Sequence, residues 1–335
     1  MIRRMAARAV FWWHNARPSS LPQSLLPAIL GVCLAWGEEG FSLALAGAAV
    51  AGVMTAHLAV NLWDDYFDYR VKLSGYRDTL ARQGFRARIA KCHYLTSGQA
   101  TTGQLLLACL FFSGMALLPG LVIFIFRGMF ILYLTAATGI LGIFYSGYPL
   151  RLSYHGLGEI VIGILFGPLL ITGVIYAASG RFEAETLYLS VPVGLLVMNI
   201  VYVHAVIDSV PDKACGKRTL AVELGRPRLM LAVGLLLLTL PFAIIVYAVV
   251  WRGLSLWYLL TLVTVPMGGG LFFLLVQFFR NPQRAFSPKL WMGPIDHWEA
   301  SKSLGIDWFT IRWMVARNVL TFFCLLLCLA TLLAG

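Results

Sequence analysis

Two short segments carry most of the acidic side chains that could do chemistry. The first runs Asn61-Leu-Trp-Asp64-Asp65-Tyr-Phe-Asp68-Tyr69. On a helix, Asp64 and Asp68 share one face, and Asn61 and Asp65 share a neighbouring one. Three carboxylates so close repel one another, and at the end of an apolar run that repulsion is costly unless a cation relieves it. Hard oxygen ligands of this kind suit Mg²⁺, which keeps part of its water shell and shares the rest with phosphate oxygens. The second segment is Asp208-Ser-Val-Pro-Asp212-Lys-Ala-Cys-Gly216-Lys217-Arg218-Thr219. It has two further carboxylates in an i, i+4 relation, with Pro211 between them as a possible helix break. Lys217 and Arg218 follow, and Arg218 offers a forked pair of donors suited to phosphate.

Together these residue types suit metal-assisted departure of a diphosphate. Asp64, Asp65, Asp68, Asp208 and Asp212 are the candidate Mg²⁺ ligands. The metal and Lys217/Arg218 would stabilise charge on the leaving group. An allylic cation left behind can be held by aromatic faces in a dry cavity, until an electron-rich ring takes up the chain. The bland alternatives are a solvated acidic patch and an ordinary polar loop. His57 and His204 each lie four residues before an acidic or amide site residue. Each reads either as a satisfied polar group inside a bundle or as part of an acceptor wall.

The elements that position these residues are read from hydropathy. Of the 335 residues, 59% are hydrophobic and 12% charged; soluble domains carry about 25% charged residues. Nine blocks approach the length of about 20 apolar residues that spans a bilayer: 21–37, 41–63, 103–120, 128–147, 157–179, 186–208, 228–250, 255–279 and 314–334. With the N-terminus inside, every one of the 26 lysines and arginines except Arg127, Arg181 and Arg252 falls in or beside an inner segment. This places both acidic segments at the cytoplasmic ends of even-numbered helices. It also accounts for the formal net charge of +11 through lipid headgroups and anionic substrate, without nucleic acid. An offset of four helices describes a parallel pseudo-repeat, about 21–147 and 157–279, followed by the last helix 314–334. Such a repeat would set the acidic segments face to face across a central cavity.

Residues 1–20 read as an amphipathic lead-in at the membrane surface and not as a cleavable signal. The six cysteines form no CxxC pair, and no disulfide framework or zinc site is expected. Residues 280–313 read as an inner loop whose tryptophans, Trp291, Trp298 and Trp308, sit at the membrane interface, with no assigned chemistry. Transporter carboxylates usually lie at the bilayer midplane, so the placement of these at helix ends argues against ion-coupled transport.

The motifs resemble the UbiA superfamily of intramembrane prenyltransferases, whose first motif is NDxxDxxxD and whose second is DxxxD, often followed by GKRTLAV. The second is matched by Asp208, Asp212 and Gly216-Lys-Arg-Thr-Leu-Ala-Val222. The first departs. Aligned on Asp65 and Asp68, the family asparagine becomes Asp64 and the last aspartate falls on Lys72; alternatively Asn61 takes the asparagine role beside Asp65. Arg17-Pro18 and Tyr145-Ser-Gly-Tyr-Pro149-Leu-Arg151 are similar to other family segments. Gly156-Leu-Gly-Glu159 and Phe166-Gly-Pro-Leu169 are similar to the 1,4-dihydroxy-2-naphthoate polyprenyltransferases of menaquinone synthesis. The resemblance implies a single all-α domain over residues 1–335, a bundle of nine transmembrane helices around a central cavity, in an integral membrane protein of the bacterial inner membrane. It also implies Mg²⁺ as cofactor, a polyprenyl diphosphate and an aromatic acceptor as substrates, and contact with membrane lipid. Asp65, Asp68, Asp208 and Asp212 are implied as catalytic, and Asn61, Arg17, Lys91, Tyr145, Arg151, Lys217 and Arg218 as substrate-binding. The same scaffold could serve 4-hydroxybenzoate, haem, a chlorophyll-like ring or a glycerol lipid. Isoprenoid length and oligomeric state are not legible.

Overall fold

A computed structural model describes residues 2–70, 92–214, 216–282 and 284–335. Lys91, Lys72 and Cys215 therefore lie outside the described residues. Among those described, every regular element is helical. The chain opens with α1 (Ile2–Asn15) and α2 (Pro22–Ala35), then α3 (Leu43–Arg70), α4 (Thr102–Arg127), α5 (Met129–Ser146) and α6 (Gly158–Ser179). It continues with α7 (Leu187–Ile207), α8 (Pro227–Arg252), α9 (Leu256–Arg280) and α10 (Asp307–Ala334).

Eight of these, α3 to α10, are long and apolar enough to cross a membrane. The first of the nine expected spans is α2, a shorter apolar helix of 14 residues. The last helix begins at Asp307, earlier than the apolar block suggested; Asp307 in its first turn complements the helix dipole, and Arg312 ties this end to the Leu274 carbonyl. Trp308 thus belongs to α10 and not to a loop.

The chain forms two compact units, residues 1–151 with 172–182 and residues 152–171 with 183–335; it passes between them within α6. In the first unit α3 packs along α4. Gly52 faces the ring of Pro119, and the Trp63 indole donates to Ser113 Oγ at 3.0 Å. Arg127 ends α4 and donates to the carbonyls of Ala177, Ala178 and Gly40. A guanidinium here satisfies the last carbonyls of α6 and complements the negative end of its dipole.

In the second unit α7 is the most deeply buried helix. Its Gly194 meets the backbone of Gly163 and Gly167 on α6. That spacing of small residues lets two helices approach where lipid offers no hydrophobic drive. Pro168 sits in a π-helical turn, Leu165–Leu169, which accommodates its missing N–H. Tyr202 of α7 donates to the Met230 carbonyl of α8 at 2.7 Å. Arg312 of α10 is fully buried and donates to the Leu274 carbonyl of α9 at 3.0 Å.

Candidate active site

The first acidic segment continues α3 to its end, so the apolar run and the carboxylates share one helix. Asp65 and Asp68 are buried, at 3% and 2% exposure. Their surroundings come from distant parts of the chain. The Ser146 hydroxyl, at the end of α5, donates to Asp64 Oδ1 at 2.7 Å. The Tyr94 hydroxyl donates to Asp65 Oδ2 at 3.1 Å. Arg17 Nη2 lies 3.2 Å from Asp65 Oδ1 and 3.8 Å from Asp64 Oδ2, and donates to the Asn61 carbonyl at 2.6 Å. Burial by itself would lower the pKa of Arg17, but Asp65 and Asp64 outweigh it and leave it raised, so the guanidinium stays charged. Tyr94 is shifted upward by burial and by the adjacent Asp65 carboxylate.

Arg17 adopts a left-handed backbone, φ 62°, which a non-glycine residue holds only when its surroundings impose it. Asn61 imposes it: its Nδ2 donates to the Ala16 carbonyl at 2.9 Å and to Ser20 Oγ at 3.0 Å. His57 joins the same tie, with Nε2 3.2 Å from Ser20 Oγ and Nδ1 2.8 Å from Ser24 Oγ. Both ring nitrogens are engaged, which matches the satisfied-polar reading of this histidine. Tyr145 is half-buried beside Ser146, and the Arg151 guanidinium lies 4.9 Å above the Tyr148 ring.

The second segment is built within the other unit. α7 stops at Ile207, Asp208 caps it, and a new short helix runs Ser209–Ala214. The break therefore precedes Pro211, which stands in a first turn where its missing N–H costs nothing. The Asp212 amide still donates to the Asp208 carbonyl at 2.8 Å, so the i, i+4 relation survives. Both carboxylates are buried, each 5% exposed. The chain then turns through Gly216, φ 72°, and the Lys217 amide donates back to the Asp212 carbonyl at 2.9 Å. Lys217 Nζ lies 5.5 Å over the Tyr154 ring. Arg218 pairs with Glu223, at 2.5 and 3.1 Å, on the exposed side. His204, one turn before Asp208, stacks near Phe309 and Trp313 of α10, at 5.2 and 5.5 Å.

Glu159 is a residue of this site that motif reading quoted without a role. It is 2% exposed, and both carboxylate oxygens accept from the Leu220 amide, at 3.2 and 3.4 Å. Thr219 caps the same short helix, Leu220–Leu224. The two caps fix the strand of chain that carries Lys217 and Arg218. Ser146 and Tyr94 were equally invisible in the sequence, being far in number from the aspartates they touch.

Among the described residues, no three histidine, cysteine, aspartate or glutamate groups stand close enough to cage a metal. Mg²⁺ takes one or two carboxylates and completes its shell with water and phosphate oxygens. The donors present are carboxylates, hard ligands of the right class.

The model of the UbiA prenyltransferase family matches residues 24–294. The chain belongs to that family. A UbiA prenyltransferase domain-containing protein 1 homolog of Drosophila melanogaster is 30% identical over 271 residues, 80% of this chain and 70% of the relative. A 1,4-dihydroxy-2-naphthoate octaprenyltransferase of Bacillus subtilis is 26% identical over 263 residues, 76% of this chain and 78% of the relative. Among solved structures, a UbiA homolog from Archaeoglobus fulgidus bound to DMAPP and Mg²⁺ has a TM-score of 0.57 at 17% identity. The alignment covers 91% of this chain and 98% of that one. The likeness establishes a UbiA-type fold, and the family makes the chain an integral membrane prenyltransferase.

Proposed function

We propose that the protein transfers a polyprenyl group from polyprenyl diphosphate to 1,4-dihydroxy-2-naphthoate, with Mg²⁺ as cofactor. The carrying observation is the placement of five buried or half-buried aspartates at the ends of apolar helices, within a chain whose relatives include naphthoate octaprenyltransferases of Bacillus subtilis and Mycobacterium tuberculosis. Bound to these carboxylates, Mg²⁺ supplies Lewis-acid stabilisation of the departing diphosphate. Asp64, Asp65 and Asp68 in one unit, and Asp208 and Asp212 in the other, are each needed for turnover. Arg17 holds Asp64 and Asp65 in place before the diphosphate arrives, and Lys217 and Arg218 bind diphosphate oxygens. Tyr145 and Arg151 contact diphosphate or acceptor. Asn61 keeps Arg17 in position. We place the N-terminus and both acidic segments on the cytoplasmic side of a bacterial inner membrane, as the distribution of Lys and Arg supports.

The test is turnover by purified protein in detergent, with radiolabelled polyprenyl diphosphate, Mg²⁺ and a panel of aromatic acceptors. The expected product forms with 1,4-dihydroxy-2-naphthoate. Product only with another ring, or none with any aromatic acceptor, overturns the assignment.

A further inference from the structure

Both oxygens of the Asp65 carboxylate are met by groups that depend on α1. Oδ1 faces Arg17 at 3.2 Å, two residues past the end of α1 at Asn15. Oδ2 accepts from the Tyr94 hydroxyl at 3.1 Å, and the Tyr94 ring lies against α1. It meets Phe11 edge-on, with centroids 6.0 Å apart and planes at 89°, and Trp12 likewise at 5.8 Å and 87°. Phe11 and Trp12 are themselves nearly perpendicular, 5.0 Å apart. All three pairs have the edge-to-face geometry that aromatic rings prefer. The other end of Tyr94 is held as well: its carbonyl accepts from the Ala100 amide at 2.9 Å, and Cys92 Sγ lies 3.6 Å from the Asp65 carbonyl oxygen.

A carboxylate turns easily about its last bond, whose torsion is broad and roughly two-fold. A hydroxyl on one oxygen and a guanidinium beside the other restrict that rotation and fix where the remaining lone pairs point. Groups that orient a metal ligand in this way change metal affinity or activity by about 10–100-fold when removed. The hydroxyl can do so only while its ring is held, and Phe11 and Trp12 hold it. The neighbouring indole of Trp13 takes no part: it is 47% exposed.

We propose that Tyr94 is a positioning residue for Asp65, and that Phe11 and Trp12, by clamping Tyr94, make the N-terminal helix part of the divalent-cation site. This role rests on Asp65 as a Mg²⁺ ligand.

The experiment titrates Mg²⁺ into purified protein in detergent with geranyl S-thiolodiphosphate present. The rise in Tm gives a Mg²⁺ midpoint without turnover or acceptor. Loss of packing lowers Tm before Mg²⁺ is added and is read separately from the midpoint. Tyr94→Phe keeps the ring in its clamp and removes only the hydroxyl, and its midpoint is expected to rise about tenfold. Trp12→Ala is expected to raise it by about threefold or more, while Trp12→Phe, which keeps a ring, stays within about twofold of wild type. Trp13→Ala is expected to match wild type. A wild-type midpoint in Tyr94→Phe, or equal midpoints in Trp12→Ala and Trp13→Ala, overturns the positioning role. Asp65→Asn separates the two readings. A raised midpoint there, with Tyr94→Phe unchanged, refutes positioning alone; an unchanged midpoint in Asp65→Asn sinks the metal role of Asp65 and the positioning with it.

Discussion

Glu159, at the start of α6, accepts from the backbone amide of Leu220, 61 residues further along the chain, with its carboxylate almost wholly buried. The bond ties the base of one membrane helix to the loop that presents Lys217 and Arg218. Leaving a buried backbone amide without its acceptor costs about 1–3 kcal/mol. Glu159→Ala is therefore expected to destabilise the protein by about that amount and to raise KM for the prenyl diphosphate more than it lowers kcat. Glu159→Gln keeps a carbonyl acceptor and is expected to restore most of the KM. Equal KM values in wild type and Glu159→Ala would refute a positioning role.

Asp68→Ala and Asp208→Ala each remove a buried carboxylate from a different unit. Each is expected to lower kcat by about 10²–10³, as loss of one electrostatic stabiliser does, while size-exclusion profile and helical content stay as in wild type. Wild-type turnover in either variant would sink the metal-ligand assignment.

Arg17 is a cation paired with Asp64 and Asp65. Arg17→Ala removes that positive charge from beside two carboxylates, so thermal stability without divalent cation should fall. Added Mg²⁺ should then raise Tm of Arg17→Ala more than that of wild type, because the ion supplies the missing positive charge. An identical Mg²⁺-induced shift in both proteins would count against this.

Tyr94 carries a pH signature. Its pKa is raised by burial and by the Asp65 carboxylate it hydrogen-bonds. A group whose folded pKa lies above its unfolded value, about 10 for tyrosine, contributes stability that is complete below that pH and lost as pH rises above it. The protein should lose stability above about pH 10, and Tyr94→Phe should show a shallower loss. Parallel alkaline unfolding curves for the two would refute the coupling.

Gly194 sits where α7 meets Gly163 and Gly167 of α6, and a methyl group there would meet backbone, not a yielding side chain. Gly194→Ala is expected to destabilise by about 1–3 kcal/mol, measured as a lower Tm in detergent. Gly173→Ala, on the same α6 with open space around it, should leave Tm near the wild-type value.

The amino-acid order alone determined the membrane class, the helix register and the identity of the acidic segments. Apolar block length is a local property, so α3 to α9 appear close to where hydropathy put them. Spacing is local too: Asp208 and Asp212 keep their one-turn relation even though the helix breaks between Ile207 and Ser209. Local pattern misjudged α10, whose polar first turns are held by tertiary bonds such as Arg312 to Leu274 and not by an apolar run. What surrounds each carboxylate was decided only by the folded chain. Ser146 lies 82 residues from Asp64, and Tyr94 lies 29 from Asp65; no periodicity relates them, and helix packing brings them together.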